Sequence, residues 1–144
     1  MAFLDEMATL LVGSTVGGLP GSTTGTGWTI YKSHLPDSST IPDKAIGLIE
    51  TGGQGMMARV DVEQPGLQLV VRGDRMNSTT ATPYATAQAK FTQARTALHA
   101  YSGSTATSGV HYAGIWCQNA AYFGEDENKR PQFVANFRVM RQTT

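Results

Sequence analysis

The sequence predicts an α+β fold: a single antiparallel or mixed sheet packed against one long central helix, with a short N-terminal helix and a C-terminal β-hairpin. Three observations lead there. Tyr84, Ala87, Phe91, Ala94, Leu98 and Tyr101 recur at spacings of three and four, the apolar stripe of one long helix. Two alternating apolar stretches, His111 to Phe123 and Gln132 to Met140, flank the polar segment Gly124 to Pro131, the pattern of an antiparallel hairpin. Shorter strand-like runs precede the helix, so strands and helices are not regularly interleaved and one sheet face is left for the long helix to cover. At 144 residues the chain has the length of one domain, with no internal repeat and 40% hydrophobic residues to build a core.

The elements follow in order. Phe3, Leu4, Met7, Leu10 and Leu11 form one apolar helical face over residues 2 to 11, with Asp5 and Glu6 near its positive end and Gly13 as its stop. From Gly13 to Gly27 six glycines mix with Ser, Thr and Pro, which predicts a long, flexible Gly/Thr-rich loop. Trp28 to Lys32 and Ala45 to Thr51 read as strands, separated by the turn-forming Leu35-Pro36-Asp37 and Ile41-Pro42-Asp43. Gly52-Gly53-Gln54-Gly55 reads as another flexible connection, with the loop continuing to Gln64. Leu67 to Arg72 alternates as a third strand. The long helix runs from about Pro83 to Ser102, capped by Thr82, begun by Pro83 and stopped by Gly103.

Composition narrows the chemistry. Charged residues are only 15%, with 11 bases against 11 acids, while glycine reaches 16 and threonine 18. Net neutrality removes the simplest electrostatic case for binding nucleic acid or an anionic membrane, and it removes the self-repulsion that discourages association. The charge is uneven: residues 1 to 72 hold seven acids and four bases, residues 73 to 144 four acids and seven bases. Such polarity fits head-to-tail pairing between copies, which closes into a ring when the rotation permits. No run of eighteen apolar residues and no basic leader is present, so the expectation is a soluble chain made in a cytoplasm.

Catalytic and ligand motifs are scarce. Gly21-Ser22-Thr23-Thr24-Gly25-Thr26-Gly27 lacks the Gly-Lys-Ser/Thr ending of a phosphate loop, and no strand precedes it. His34, His99 and His111 lie in separate segments with no second ligand at metal-binding spacing. Glu125-Asp126-Glu127-Asn128 misses the glycine and terminal glutamate of a calcium loop. Cys117, the single cysteine, falls in an apolar strand pattern with no base beside it, and a small buried thiol accounts for it. The expectation is a non-enzymatic protein with no metal and no cofactor; a small hydrolase or nucleotide-binding domain using the Gly/Thr loop is the enzyme-class alternative.

Several segments together resemble the tail terminator family of long-tailed bacteriophages, also catalogued among phage minor capsid proteins. They are the apolar N-terminal helix, Ile46-Gly47-Leu48-Ile49-Glu50-Thr51-Gly52-Gly53, Pro65-Gly66-Leu67-Gln68-Leu69-Val70-Val71-Arg72-Gly73, the helix from Tyr84 to Tyr101, and the ending from Gly124 to Phe137. Their order spans nearly the whole chain; the length of the first Gly/Thr loop departs from it. The resemblance implies a structural virion protein of the tail or neck, assembled in the host cytoplasm. It implies a ring, hexameric in the family, that caps the tail tube, stops its polymerisation and joins the tail to the head connector. Another head-tail connector or a tail-tube protein is the alternative within the virion class. Implied partners are copies of itself, the tail-tube protein and head-tail connector proteins, with no membrane, and DNA only as it passes through the lumen. Interface candidates are Gly52, Gly53, Gln54 and Arg59 in the loop from Gly52 to Glu63, Asp74 and Arg75 in the loop from Asp74 to Thr82, and Glu125, Asp126, Glu127, Lys129 and Arg130 at the hairpin tip.

Overall fold

The computed structural model describes residues 3–19, 27–36, 43–57, 62–76, 82–99, 101, 103–104 and 111–142. Helix α1 spans Phe3–Gly13 and α2 Thr82–Leu98. The strands are β1 Thr29–Lys32, β2 Ala45–Met57, β3 Val62–Arg72, β4 Gly103–Ser104, β5 His111–Glu125 and β6 Pro131–Gln142. They form one sheet in the order β1-β2-β3-β6-β5-β4, with β1 parallel to β2 and every other pairing antiparallel. The α+β class, the single mixed sheet, the long helix, the short first helix and the closing hairpin are as the sequence predicts.

Strand alternation decides where the core lies. Leu67, Leu69 and Val71 of β3 and Phe133, Ala135, Phe137 and Val139 of β6 all turn to one side, where both helices cover them. From α2, Ala87, Phe91, Ala94 and Leu98 are buried against this face. Phe91 stacks on Phe133 at 5.4 Å between ring centroids, and Tyr84 meets Phe133 at 5.3 Å and Tyr122 at 5.0 Å. The start of α2 comes close to the sheet because position 73 has no side chain: a Cβ on Gly73 would lie 2.9 Å from Ala87 Cβ and 3.1 Å from Pro131 Cγ.

A buried polar cluster fastens α1 to the far strands. Glu6 is fully buried; it accepts a hydrogen bond from the Tyr112 hydroxyl at 2.8 Å and faces Arg141 at 3.3 Å. Arg141 also reaches Glu63, at 3.7 Å. Burial pushes the Tyr112 phenol well above its ordinary range, and the hydrogen bond and charge of Glu6 push it further the same way. Glu6 thus does more than complement a helix dipole.

Three expectations are corrected. Gly52-Gly53-Gln54-Gly55 is not a loop: β2 continues to Met57, still paired with β3 through Thr51↔Gly66, Gln54↔Gln64 and Met57↔Val62, with irregular steps between them. Gly66 permits this, since a Cβ there would stand 2.3 Å from Thr51 Oγ1 and 3.0 Å from the Gly52 carbonyl. The first Gly/Thr loop is partly built: Val16 is buried, and Gly18 bridges to Thr29, accepting from the Ile30 N–H at 2.8 Å and donating to Trp28 at 3.0 Å. Residues 20–26, with most of the glycine-threonine run, lie outside the described residues. Finally, α2 stops at Leu98 rather than near Ser102: the His99 N–H still donates to the Arg95 carbonyl at 2.8 Å, the Tyr101 N–H donates to Leu98 at 3.3 Å in a tighter turn, and His99 Nδ1 accepts the Cys117 N–H at 3.0 Å.

Removing Glu6 takes from the partly buried Arg141 its nearer carboxylate, leaving Glu63 at 3.7 Å, and from the Tyr112 hydroxyl its acceptor. Glu6→Ala is expected to lower unfolding free energy by about 3 kcal/mol, and Tyr112→Phe by about 1 kcal/mol. Urea titration of both variants, with unchanged slope, checks the ordering.

Candidate assembly surfaces

The interface candidates separate onto two ends of the sheet. Ala45, Arg72 and Gln132 lie side by side at one end, and Met57, Val62, Gln142 and His111 at the other. Asp74, Arg75 and the hairpin tip gather at the first end, where Gly73 N–H donates to Pro131 O at 2.9 Å and Met76 N–H to Lys129 O at 2.8 Å. Gly52, Gly53 and Gln54 belong to β2 toward the second end, and Arg59 lies outside the described residues.

The tip is built around Asp126. One carboxylate oxygen accepts the N–H groups of Asn128 at 2.9 Å and Arg130 at 3.0 Å; the other accepts Arg130 Nε at 2.7 Å. Lys129 completes the turn in the left-handed region, φ 59°, and Gly124 has φ 89°. Arg130 is buried, and its Nη1 reaches Asp43 at 3.2 Å. Partial burial pushes the Asp126 carboxyl up. The backbone and guanidinium hydrogen bonds of Arg130, the Asn128 N–H and the Arg130 charge outweigh that and hold it below the ordinary carboxylate value. Asp126 and Arg130 therefore hold the turn together, while Glu125, Glu127, Lys129, Asp74 and Arg75 are the exposed members of this end.

Much of the charge offset between the two halves is met inside the molecule. Asp43 pairs with Arg130 and, at 3.7 Å, with Arg75; Lys44 pairs with Asp74 at 3.7 Å; Glu6 and Glu63 face Arg141. Arg72, nearly fully buried, donates to the carbonyls of Asp43 at 2.9 Å and Pro36 at 2.7 Å, pinning both ends of the segment between β1 and β2. The sequence marked these residues only as charged or as strand endings; Arg130 lies 87 positions from Asp43, and Arg141 is further still from Glu6.

Among the described residues, the helix-free side of the sheet is covered near Val70 and Arg72, where Leu35, Pro36 and Asp43 approach, and is uncovered around Gln68, Asn136 and Arg138; two edges are open in part. On the side away from the helices, Gln68 donates to Asn136 at 3.4 Å, Asn136 to Asn119 at 2.8 Å, and Arg138 to Gln64 at 2.9 Å. Periodicity alone did not single out this amide face. Among the described residues, β1 covers β2 only along Ala45–Leu48, and β4 covers β5 only at His111–Tyr112. Along the open part of β5, Trp116, Tyr122 and Phe123 are exposed, Phe123 to 73%.

Enclosed chemistry is sparse. A depression beside α2 is lined by Arg95, Thr96, His99 and Cys117, with the His99 ring engaged by the strand. Cys117 is a half-buried free thiol. Among the described residues no three His, Cys, Asp or Glu side chains cluster to hold a metal ion, and no helix is long and apolar enough to cross a membrane. The fold and these surfaces define a one-sheet α+β domain whose exposed chemistry lies on edges, an open face and a charged end.

Neither a protein-family model nor a curated protein matches the chain. Among solved structures, it is similar to a chain of the particle described as "Virion of native gene transfer agent (GTA) particle". The TM-score is 0.67 at 15% identity, over 99% of this chain and 96% of that one. At that identity the likeness is one of fold, and it runs the length of both chains.

The tip is expected to be acid-sensitive. The fold favours ionised Asp126, so its stabilisation is complete above the ordinary carboxylate value of 3.8 and is lost as pH falls below it through the lower folded value. Comparing unfolding at pH 7 and pH 3, Asp126→Asn should start less stable and lose less on acidification than the natural chain.

Proposed function

We propose that this chain is a structural virion protein: a tail terminator that forms a ring, hexameric as in the family its sequence resembles. The ring caps the tail tube, stops its polymerisation and joins the tail to the head connector. The observation that carries the reading is the full-length fold likeness to a chain of a virion particle, at 99% and 96% coverage. The exposed chemistry is consistent with it, since edges and a charged end suit protein contacts better than they suit a reaction. On this reading the protein resides in the tail or neck of a particle assembled in the host cytoplasm. Its partners are copies of itself, the tube protein and connector proteins, and DNA meets it only in passage.

The end that carries Asp74, Arg75, Glu125, Glu127 and Lys129 is the proposed surface for tube or connector. Gly52, Gly53 and Gln54 are proposed for contacts between subunits, as is Arg59 from the sequence resemblance alone. Asp126 and Arg130 contribute by shaping the turn. Lys129→Gly is a clean probe, because glycine suits the positive φ at that position while the charge is lost.

Added to polymerising tail-tube subunits, the purified protein should arrest growth and appear by electron microscopy as one extra disc at a tube end. Extension of the protein by itself into tubes of open length would instead make it a tube protein. Arg75→Gln combined with Lys129→Gly should reduce capping at least tenfold with only a slight loss of melting temperature, since the Arg75–Asp43 pair is an exposed one at 3.7 Å. Capping equal to that of the natural chain would remove this end from the contact.

A further inference from the structure

We infer that the helix-free side of the sheet carries a site for an unpaired purine: one base of a single nucleic-acid strand stacks on Trp116 and is held at its edge by Arg138 and Gln118. The inference goes beyond the assembly reading and concerns a single copy, whether or not copies join.

The indole is laid down as a shelf. Gly114 and Trp116 lie on the same side of β5, opposite Met140 and Arg138 of β6. A Cβ on Gly114 would stand 2.5 Å from Trp116 Cζ2 and 2.7 Å from Cη2, so the ring lies over bare backbone and any larger residue at that position would lift it. Trp116 is nonetheless 41% exposed, which leaves its outer side to solvent. A ring already fixed in place loses little freedom when a second ring stacks on it.

Groups that read a base edge stand beside the shelf. Arg138 is the cross-strand neighbour of Trp116, and its Nη2 donates to Gln64 Oε1 at 2.9 Å. Gln64 is buried, so this bond fixes the guanidinium, whose other N–H groups have no acceptor among the described residues. Gln118 owes its place to a bulge: Cys117 opposes Phe137 and Asn119 opposes Asn136, so Gln118 is the extra residue of β5. The bulge turns its amide toward the same side as Trp116. A guanidinium matches the O6 and N7 acceptors of guanine, and a glutamine amide the N6 and N7 of adenine, so this pair of side chains suits purines.

The surface there is hollow. Depressions of about 420 and 250 Å³ share Gln64, Gln118 and Arg138. The larger, bounded by Trp116 and Met140, falls within the range of roughly 300–1,000 Å³ usual for small-ligand sites. The smaller extends across Gly66, which faces Arg138 from β3 and has no side chain to fill the space.

Charge and topology choose the ligand. Among the described residues the two linings hold one cation and no carboxylate, so a phosphodiester meets no repulsion and gains one contact. Net neutrality of the chain argues against binding through many phosphates, whereas stacking needs no net charge. An extended peptide would need an open main chain to pair with, and β3 and β6 beneath the depressions each lie between two strands.

The test uses a short single-stranded oligodeoxyadenylate, an abasic strand with the same sugar-phosphate chain, and a GC-rich blunt duplex. The adenylate strand should quench the tryptophan emission of the purified protein saturably, through Trp116, because Trp28 is buried. By fluorescence anisotropy of end-labelled strands, the abasic strand and the duplex should bind about fivefold or more weakly, and Trp116→Leu should lose as much, with Trp116→Phe recovering part. A fourfold rise in salt should weaken binding by no more than about threefold, the slope of a single phosphate contact. Equal binding of the abasic and adenylate strands, a steeper salt dependence, or no quenching at millimolar strand overturns the site with the natural chain alone, whether or not the variants fold. A proline-rich peptide that binds Trp116 where the strand does not gives the shelf to a peptide and overturns the inference as well.

Discussion

The sheet is covered by helices on one side only, and most of the structure follows from that constraint. β3 and β6 each turn one row of side chains toward α1 and α2 and the other row away from them. The covered row is aliphatic and aromatic; the bare row includes Gln64, Gln68, Asn136 and Arg138, which neighbouring amides satisfy. Because burial is one-sided, a slip of one residue between β3 and β6 would exchange the rows and expose Leu67, Leu69 and Val71. Gly73 and the Tyr84, Phe91, Tyr122 and Phe133 rings then settle how closely α2 lies on the covered side.

Local patterns were legible in the sequence and distant partnerships were not. The long helix announced itself because its stripe is periodic within twenty residues, and β5 and β6 because a polar turn separates two alternating runs. Gly52 to Gly55 has the composition of a loop, and Gly66, which accommodates the strand opposite, lies more than ten residues further along the chain. Burial of Glu6 was invisible for the same reason: Tyr112 is 106 residues away. Two-residue β4 is too short to leave any pattern.

The charged hairpin tip illustrates the difference between residue type and use. Its sequence identified a cluster of ionic groups, which is correct, but charge alone does not distinguish an outward contact from an inward one. Arg130 is buried between Asp126 and Asp43, whereas Glu127 and Lys129, one and three positions past Asp126, face solvent. The backbone explains the division. The turn aims the Asp126 carboxylate at the Asn128 and Arg130 N–H groups, drawing Arg130 inward as the strand resumes, while the left-handed bend at Lys129 leaves its side chain outside.

Internal pairing of the charges also changes what drives association. The acidic and basic halves meet within one chain, through Glu6 and Arg141 and through Asp43 with Arg130 and Arg75, which leaves less net polarity for head-to-tail attraction. The open strand edges are nearly uncharged, and the groups they present are main-chain donors and acceptors together with Trp116, Tyr122 and Phe123. Pairing along such edges gains hydrogen bonds and apolar burial, neither of which salt screens, whereas contacts at the Arg75 and Lys129 end weaken as ionic strength rises. On the proposed reading, a subunit built this way would separate two tasks: uncharged edges for contacts between copies that salt does not screen, and a charged end for contacts that it does.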